Sequence, residues 1–370
     1  MNNLVGGLGA IGLTAGTSSA LADYGLNMPR GVTPISHDIY DLHMLVLWIC
    51  VAIGILVFGV MIYSIFYHRK SRGAVALNFH ESTTVEIIWT TIPFVILVAI
   101  AVPATKTLLD LEDTRGAELT IKITGYQWKW KYDYLEDDIS FFSNLATDRD
   151  EIENKVAKGE NYLLEVDNPV VVPINKKIRF LTTSNDVIHS WWIPSLAVKQ
   201  DAIPGFINDT WAEIKIPGVY RGQCAELCGK DHGFMPIVVI AKTESEYEEW
   251  VAAQKSGQAA EVAASEKAWN KDELMARGEK VYISSCSTCH QPTGLGIPGM
   301  FPAIAGSPVA TGDVAGHINI VVIGKSGTTM QAFGEQLGDV DIAAVITYQR
   351  NAFGNDTGDM VQPSDIKAAR

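Results

Sequence analysis

The sequence predicts a multidomain chain: a two-helix transmembrane hairpin, then an all-β Greek-key sandwich, then a small all-α domain. Three observations carry that prediction. Two runs without a charged residue, 44–67 and 87–105, lie close together in the first third of the chain. Segments rich in β-branched residues and bounded by Pro, Gly or Asn fill the middle, as strands do. Beyond residue 242 the composition shifts to Ala, Glu, Ser and Gln, and then to apolar residues at helical spacing.

The 370 residues carry a net charge of −13, which argues against nucleic acid as a partner. The five cysteines sort without remainder: Cys50 in an apolar run, then the pairs Cys224/Cys228 and Cys286/Cys289. No disulfide framework is left over.

Residues 1–22 are apolar, Gly-rich and end in Ala20-Leu21-Ala22, which reads as a signal-peptidase site before Asp23. No Lys or Arg precedes the apolar part, so a mobile apolar tail is the competing reading. Residues 23–112 form the hairpin, because a helix needs about 20 apolar residues to cross a bilayer core. His68, Arg69, Lys70 and Arg72 follow the first span directly. The positive-inside bias puts that connection in the cytoplasm and everything after Leu109 outside. Glu86 then sits at the cytoplasmic start of the second span, where a carboxylate near a helix N-terminus is favourable without any function.

The external part, 113–243, opens with Leu119, Ile121 and Ile123 alternating with polar neighbours. At Gly125 the phase flips, and Tyr126, Trp128, Trp130, Tyr132 and Tyr134 take the other parity, which predicts a bulge at the glycine. Residues 135–168 read as acidic loop with a short helix near 148–158. The strands are expected within 170–183, 210–216, 218–223 and 236–242. Residues 244–270 read as a linker, helical around 246–253 and flexible after that. The helical domain spans 271–358, and 359–370 is expected to be a mobile tail.

The chemistry concentrates in one loop. Cys224, Cys228, His232 and Met235 place two thiols, an imidazole and a thioether within a short stretch, a soft set that favours copper or zinc. Two thiolates with three residues between them can bridge two copper ions and spread one electron over both. A zinc knuckle would have no use for Met235, and a Cys224–Cys228 disulfide would leave His232 and Met235 unexplained. The second pair stands in Cys286-Ser287-Thr288-Cys289-His290, the C-x-x-C-H of covalent c-type haem attachment. A redox dithiol or half of a zinc site is the alternative. For the sixth iron position Met330 is preferred over Met300, because Met300 follows His290 too closely for its segment to round the macrocycle.

The pattern C-x-E-x-C-x-x-x-H-x-x-M resembles the binuclear copper A loop of cytochrome c oxidase subunit II. Asn185-Asp186-Val187-Ile188-His189-Ser190-Trp191 is similar to that family's upstream ligand strand, Val85-Glu86-Ile87-Ile88-Trp89 to its V-E-x-x-W, and Gly125-Tyr126-Gln127-Trp128-Lys129-Trp130 to its G-H-Q-W-x-W. Tyr126 departs from the usual His, which puts the neighbouring contact in doubt. Residues 271–354 resemble a class I cytochrome c, so the whole resembles a cytochrome-c-fused subunit II of a bacterial haem-copper oxidase.

The resemblance implies a cupredoxin-like domain with copper A held by His189, Cys224, Glu226, Cys228, His232 and Met235. It implies a haem c bonded to Cys286 and Cys289 with His290 and Met330 on the iron. It further implies a magnesium ion at Glu226 shared with subunit I, electron entry at Trp128 and a proton-channel mouth at Glu86. The implied partners are oxidase subunits I and III, with a cytochrome c or a quinol–cytochrome c reductase as donor. The implied place is the bacterial inner membrane, with copper and haem on the outer side. Oxygen would be reduced to water in subunit I with proton pumping, since this chain's spans hold no cluster of His residues. Asp133, Glu136, Asp137, Asp138 and Asp186 are expected to form an acidic face that steers a basic cytochrome. A membrane-tethered electron shuttle is the rival from another class; it would need neither Glu86 nor the Glu226 carboxylate.

Overall fold

The computed structural model describes residues 27–370 apart from 76, 77 and 79, so the signal-peptide expectation for 1–22 lies outside the described residues. Helix α1 (Pro34–Tyr67) starts sharply because Thr33 and Ser36 cap each other reciprocally and Pro34 occupies the first turn. At 1.5 Å per residue its 34 residues reach about 51 Å, well beyond the roughly 30 Å of a hydrocarbon core. The surplus length rises into the β domain: Ile35 and Ser36 are buried, and Thr33 donates its hydroxyl to the Leu196 carbonyl at 3.1 Å. Helix α2 (Thr83–Glu112) returns and is anchored in the same way, with the Trp211 indole donating to the Asp110 carbonyl at 3.2 Å. Both helices are long and apolar enough to cross a membrane, and side chains such as Ile55 and Leu97 stand exposed along them, as lipid-facing residues must.

Strands β1 (Leu119–Tyr126), β2 (Lys129–Tyr134) and β3 (Ile139–Ser143) are joined by the single-turn helix α3 (Arg149–Ile152) and a long loop to β4 (Val170–Pro173). There follow β5 (Lys177–Ser184), β6 (His189–Ile193), β7 (Val198–Ala202), β8 (Asn208–Glu213), β9 (Gly218–Cys224) and β10 (Pro236–Lys242). They form two five-stranded sheets, ordered β3-β2-β1-β5-β8 and β4-β10-β9-β6-β7. Ile121, Ile123, Trp130, Tyr132, Phe180, Trp191 and Ile193 fill the space between them without solvent exposure. This is the predicted β-sandwich.

The change of phase at Gly125 has a different cause from the expected bulge. Strand β1 runs unbroken to Tyr126, and Gln127 and Trp128 form a two-residue connection to β2, with Tyr126 paired to Lys129 and Gly125 to Trp130. A hairpin returns the chain along the same sheet, so Trp130, Tyr132 and Tyr134 face the core on a second strand. Parity alone does not separate an inserted residue from a tight reversal.

The helix expected around 246–253 is present, but in place of the flexible stretch expected after it the helix runs on as α4 (Glu244–Ser265), opened by a reciprocal cap between Thr243 and Glu246. Ala, Glu, Gln and Lys are strong helix formers and carry it past Gly257. The helical domain follows with α5 (Lys271–Val281), a π turn over Tyr282–Cys286, α6 (Ser287–His290), α7 (Pro308–Thr311), α8 (Val314–Ile323) and α9 (Asp339–Asn351). Helices α5 and α9 cross at Gly278, where a Cβ would stand 2.1 Å from the Ala344 carbonyl oxygen. Tyr282, Tyr348 and Phe353 pack together beside that crossing.

The expected mobile tail is also ordered: α10 (Pro363–Ala369) buries Ile366, and Val361 before it is fully covered. Gln362 exchanges two hydrogen bonds with the Trp269 backbone. Two apolar anchors in a polar stretch suffice to hold it, and average composition hides them.

Candidate metal centre and haem site

The metal-ligating side chains converge where β9 ends, β10 begins and β6 passes alongside. Cys224 closes β9, and its amide donates to the Met235 carbonyl at 3.1 Å, which ties the two ends of the loop together. The Ala225 amide donates to the Ser190 carbonyl of β6 at 3.0 Å, bringing the loop against His189. The result is a row: His189 Nδ1 to Cys224 Sγ 3.9 Å, Cys224 Sγ to Cys228 Sγ 3.8 Å, Cys228 Sγ to His232 Nδ1 3.5 Å. The ligand atoms of His189, Cys224 and Cys228 all lie within 4.8 Å of one another.

A sulfur separation of 3.8 Å is far beyond a disulfide bond of about 2.05 Å. It is less than twice a metal–thiolate bond of about 2.3 Å, so an ion can touch both sulfurs. Met235 is buried at the base of the loop. The Glu226 carbonyl accepts a hydrogen bond from Cys224 Sγ at 3.3 Å, while its side chain is exposed.

Without metal the two thiols compete for one negative charge. The hydrogen bond from Cys228, helped by His189, pulls Cys224 strongly toward thiolate, and the same contact holds Cys228 protonated. A soft cation relieves that conflict by stabilising both as thiolates. His189 is fully buried, which disfavours its charge, yet the Asp186 carboxylate and the Cys224 sulfur beside it raise its pKa overall. Asp186 Oδ1 lies 2.9 Å from His189 Nε2, so the proton belongs on Nε2 and Nδ1 is left for a metal.

Several residues of this arrangement were not singled out as site residues in the sequence. Asp186, expected on an acidic steering face, is an orienting carboxylate that also accepts the Gln127 amide at 2.7 Å. Asp137, from the same expected face, accepts the Tyr247 hydroxyl at 2.7 Å. Gln127 and Trp128 both donate side-chain N–H groups to the Cys228 carbonyl, at 2.8 and 3.1 Å, so the expected electron-entry tryptophan abuts the copper loop.

Gly125 is the seat of His189: a Cβ there would stand 2.7 Å from the ring's Cδ2 and 2.9 Å from Cγ. Gly125→Ala is therefore expected to tilt the imidazole off the row and weaken copper binding about 10- to 100-fold, as loss of ligand orientation does. Copper titration of the external fragment measures this, and a wild-type titration curve would count against the seat.

In the helical domain Cys286 and Cys289 are unbridged, and His290 Nδ1 lies 2.8 Å from the Pro302 carbonyl. That contact fixes the ring and leaves Nε2 to face an iron. Met330 is partly buried on the segment after α8, whereas Met300 is exposed in the Gly- and Pro-rich turn beside Pro302. Glu86 lies exposed in the first turn of α2, far along the chain from both centres.

Two family models meet this architecture along the hairpin and the sandwich: cytochrome c oxidase subunit II, transmembrane domain, over residues 22–107, and its periplasmic domain over 119–242. A probable cytochrome c oxidase subunit 2 of Rickettsia bellii is 39% identical over 249 residues, covering 66% of this chain and 91% of the relative. The chain belongs to the cytochrome c oxidase subunit II family. It is thus part of a haem-copper oxidase complex, a membrane protein with a periplasmic domain and subunit I as its partner.

Cytochrome c oxidase subunit 2 of Cereibacter sphaeroides is 35% identical over 273 residues, covering 67% of this chain and 90% of that one. Among solved structures, the periplasmic domain of subunit II of cytochrome oxidase from Bradyrhizobium japonicum is 43% identical, covers 39% of this chain and 98% of that chain, and has a TM-score of 0.35. A third family model, cytochrome c oxidase, cbb3-type, subunit III, matches residues 273–348 and adds a cytochrome c domain to the subunit II frame. The family implies copper A and the added domain implies haem. The donor sets fit both: two thiolates between two imidazoles for copper, and two free thiols next to an oriented imidazole for haem.

Proposed function

We propose that this chain is the electron-entry subunit of a bacterial haem-copper cytochrome c oxidase, set in the inner membrane beside subunits I and III. When bound, haem c and copper A supply a one-electron relay from a cytochrome c or a quinol–cytochrome c reductase to subunit I, where oxygen is reduced to water with proton pumping. The observation that carries this reading is the row His189–Cys224–Cys228–His232, which gives two bridging sulfurs one imidazole at each end.

In this reading Cys224, Cys228, His189, His232, Met235 and the Glu226 carbonyl would hold the copper, with the two thiolates shared within it and an imidazole at each end of the row. The exposed Glu226 carboxylate helps hold magnesium at the boundary with subunit I. Cys286 and Cys289 would attach the haem covalently, and His290 and Met330 would be its iron ligands. Trp128 takes electrons in, with its indole on the Cys228 carbonyl. The rigid loop keeps the donor atoms in one arrangement, so little has to move when the charge changes.

Purifying the chain with its membrane partners and identifying haems, metals and subunits tests the reading. Copurification without an oxidase core, or zinc in place of copper, would overturn it.

Glu86 is the proposed mouth of a proton channel into subunit I, because it stands in the first turn of α2 at the cytoplasmic side. Glu86→Gln is expected to slow oxygen turnover by the assembled complex, toward the roughly 10²-fold at the lower end of what a proton-transferring group contributes. Haem-to-copper electron transfer should be unaffected, as stopped-flow spectroscopy can check; wild-type turnover would return Glu86 to the role of an interfacial carboxylate.

A further inference from the structure

The haem domain is seated on the copper domain through a small, well-defined face. Gln331, adjacent to Met330, donates its side-chain N–H to the Gln127 carbonyl at 3.1 Å. Two residues further along the same turn, the Lys129 ammonium lies 4.8 Å from the ring centre of Phe142 in β3 and 5.5 Å from that of Phe333 in the haem domain. Arg149 reaches the hydroxyl of Ser287, which stands between the two haem cysteines, at 3.4 Å. The haem-attachment motif and the segment Gln331–Phe333 therefore both face the copper domain, the first at α3 and the second at the hairpin turn.

Helix α4 braces this arrangement from the side. Its first turns pack Tyr247 and Trp250 onto the sandwich, with the Tyr247 hydroxyl on Asp137 and the Trp250 ring 5.1 Å from Tyr134. Its last turns meet the haem domain, where Arg277 donates to Glu261 at 2.9 Å. A strut fixed at both ends holds the two domains as one body.

We propose that Lys129 is a positioning residue that locks the haem domain onto the Gln127–Lys129 turn, so that the turn carrying Trp128 is served by this chain's own haem domain and closed to a separate donor protein. The inference rests on the electron-entry reading of Trp128 given above. Burial pushes the Lys129 ammonium down to about 8, so it stays charged at neutral pH, and the two ring faces stand in for the water it has lost. Undocking would remove Phe333 and leave only one face. Gln331 sets the register, because it bonds the carbonyl of Gln127, the residue whose own amide donates to Asp186, which orients His189. The path from the residue after Met330 to His189 thus passes through the backbone of the single residue Gln127.

The test uses the full, haem- and copper-loaded chain in detergent, with hydrogen exchange read at residues 126–130 and 329–334 and haem-to-copper electron transfer read after flash photoreduction. Lys129→Met, which keeps the volume and removes the charge, should raise exchange in both segments about tenfold, equal to ~1.4 kcal/mol, and slow the transfer. Lys129→Arg, which keeps a cation over both rings, should restore both, and the copper EPR and haem spectra should be unchanged throughout. Wild-type exchange in Lys129→Met would overturn the proposal. Slow exchange at both segments in the unaltered chain, combined with no haem-to-copper transfer, would instead overturn the electron-entry reading and leave the docking intact.

Discussion

Replacing Cys228 with serine is expected to abolish the delocalised mixed-valence EPR signal of the copper centre and to lower oxygen turnover by the assembled complex more than about a hundredfold, beyond the range for a lost supporting contact. Cys228 is one of the two inner members of the row: its sulfur lies 3.8 Å from Cys224 and 3.5 Å from the His232 imidazole. Its carbonyl also receives Gln127 and Trp128, so the backbone there should stay in place when the sulfur is exchanged. A hydroxyl is a poor ligand for a soft ion and does not bridge two of them. The external fragment of the unaltered chain should bind two coppers per chain, and the variant should bind one or none. A single type 1 copper signal in the unaltered fragment, or zinc in its place, would remove the basis of the binuclear assignment.

The parts of this molecule differ in how far the sequence discloses them, and the reason is locality. The copper loop places Cys224, Cys228, His232 and Met235 in one stretch, so its donor set is legible as soon as the stretch is read. His189 lies 35 residues upstream of Cys224 and joins the site because β6 pairs with β9 and the Ser190 carbonyl receives the Ala225 amide; along the chain it is legible only through family resemblance. Asp186 looked like one more acidic surface residue, since nothing along the chain says that its carboxylate lies between the Gln127 amide and the His189 ring. The two spans were legible because charge-free runs of that length have few other uses. The continuation of α4 past residue 253 and the docking of 359–370 are not legible for the opposite reason: average polarity reports solvent exposure on one side, and it is silent about the few side chains, Tyr247, Trp250, Val361 and Ile366, that dock the other. The hairpin at Gln127–Trp128 shows the limit of periodicity, which records that side chains change face and leaves open how the backbone turns.

Met330→Ala is expected to abolish the weak near-infrared sulfur-to-iron band of the oxidised haem domain and to lower its reduction potential by a sizeable part of the roughly 0.8 V over which axial ligands act. Met300→Ala should leave both nearly unchanged. The contrast follows from where the two segments run. The Pro302 carbonyl lies 2.8 Å from His290 Nδ1, and the Gly296 amide donates to the His290 carbonyl at 2.9 Å, so the loop 294–302 is folded against the histidine's own side. Met300 stands in that loop and points to solvent, with 66% of its surface exposed. Reaching the opposite face of a macrocycle would require the loop to release both contacts. Met330 comes from the far end of α8 through the turn at Gly324–Gly327, and the Lys325 amide donates to its carbonyl at 3.1 Å, which holds the segment in a compact reversal. Its neighbour Gln331 is fixed to Gln127 in the copper domain, so the thioether segment is tied down on the side that meets the hairpin turn. A thioether ligand favours the reduced iron and raises the potential, which suits a haem that takes electrons from a respiratory donor. Loss of the band in Met300→Ala, with Met330→Ala unaffected, would reverse the assignment and require the 294–302 loop to open when haem is attached.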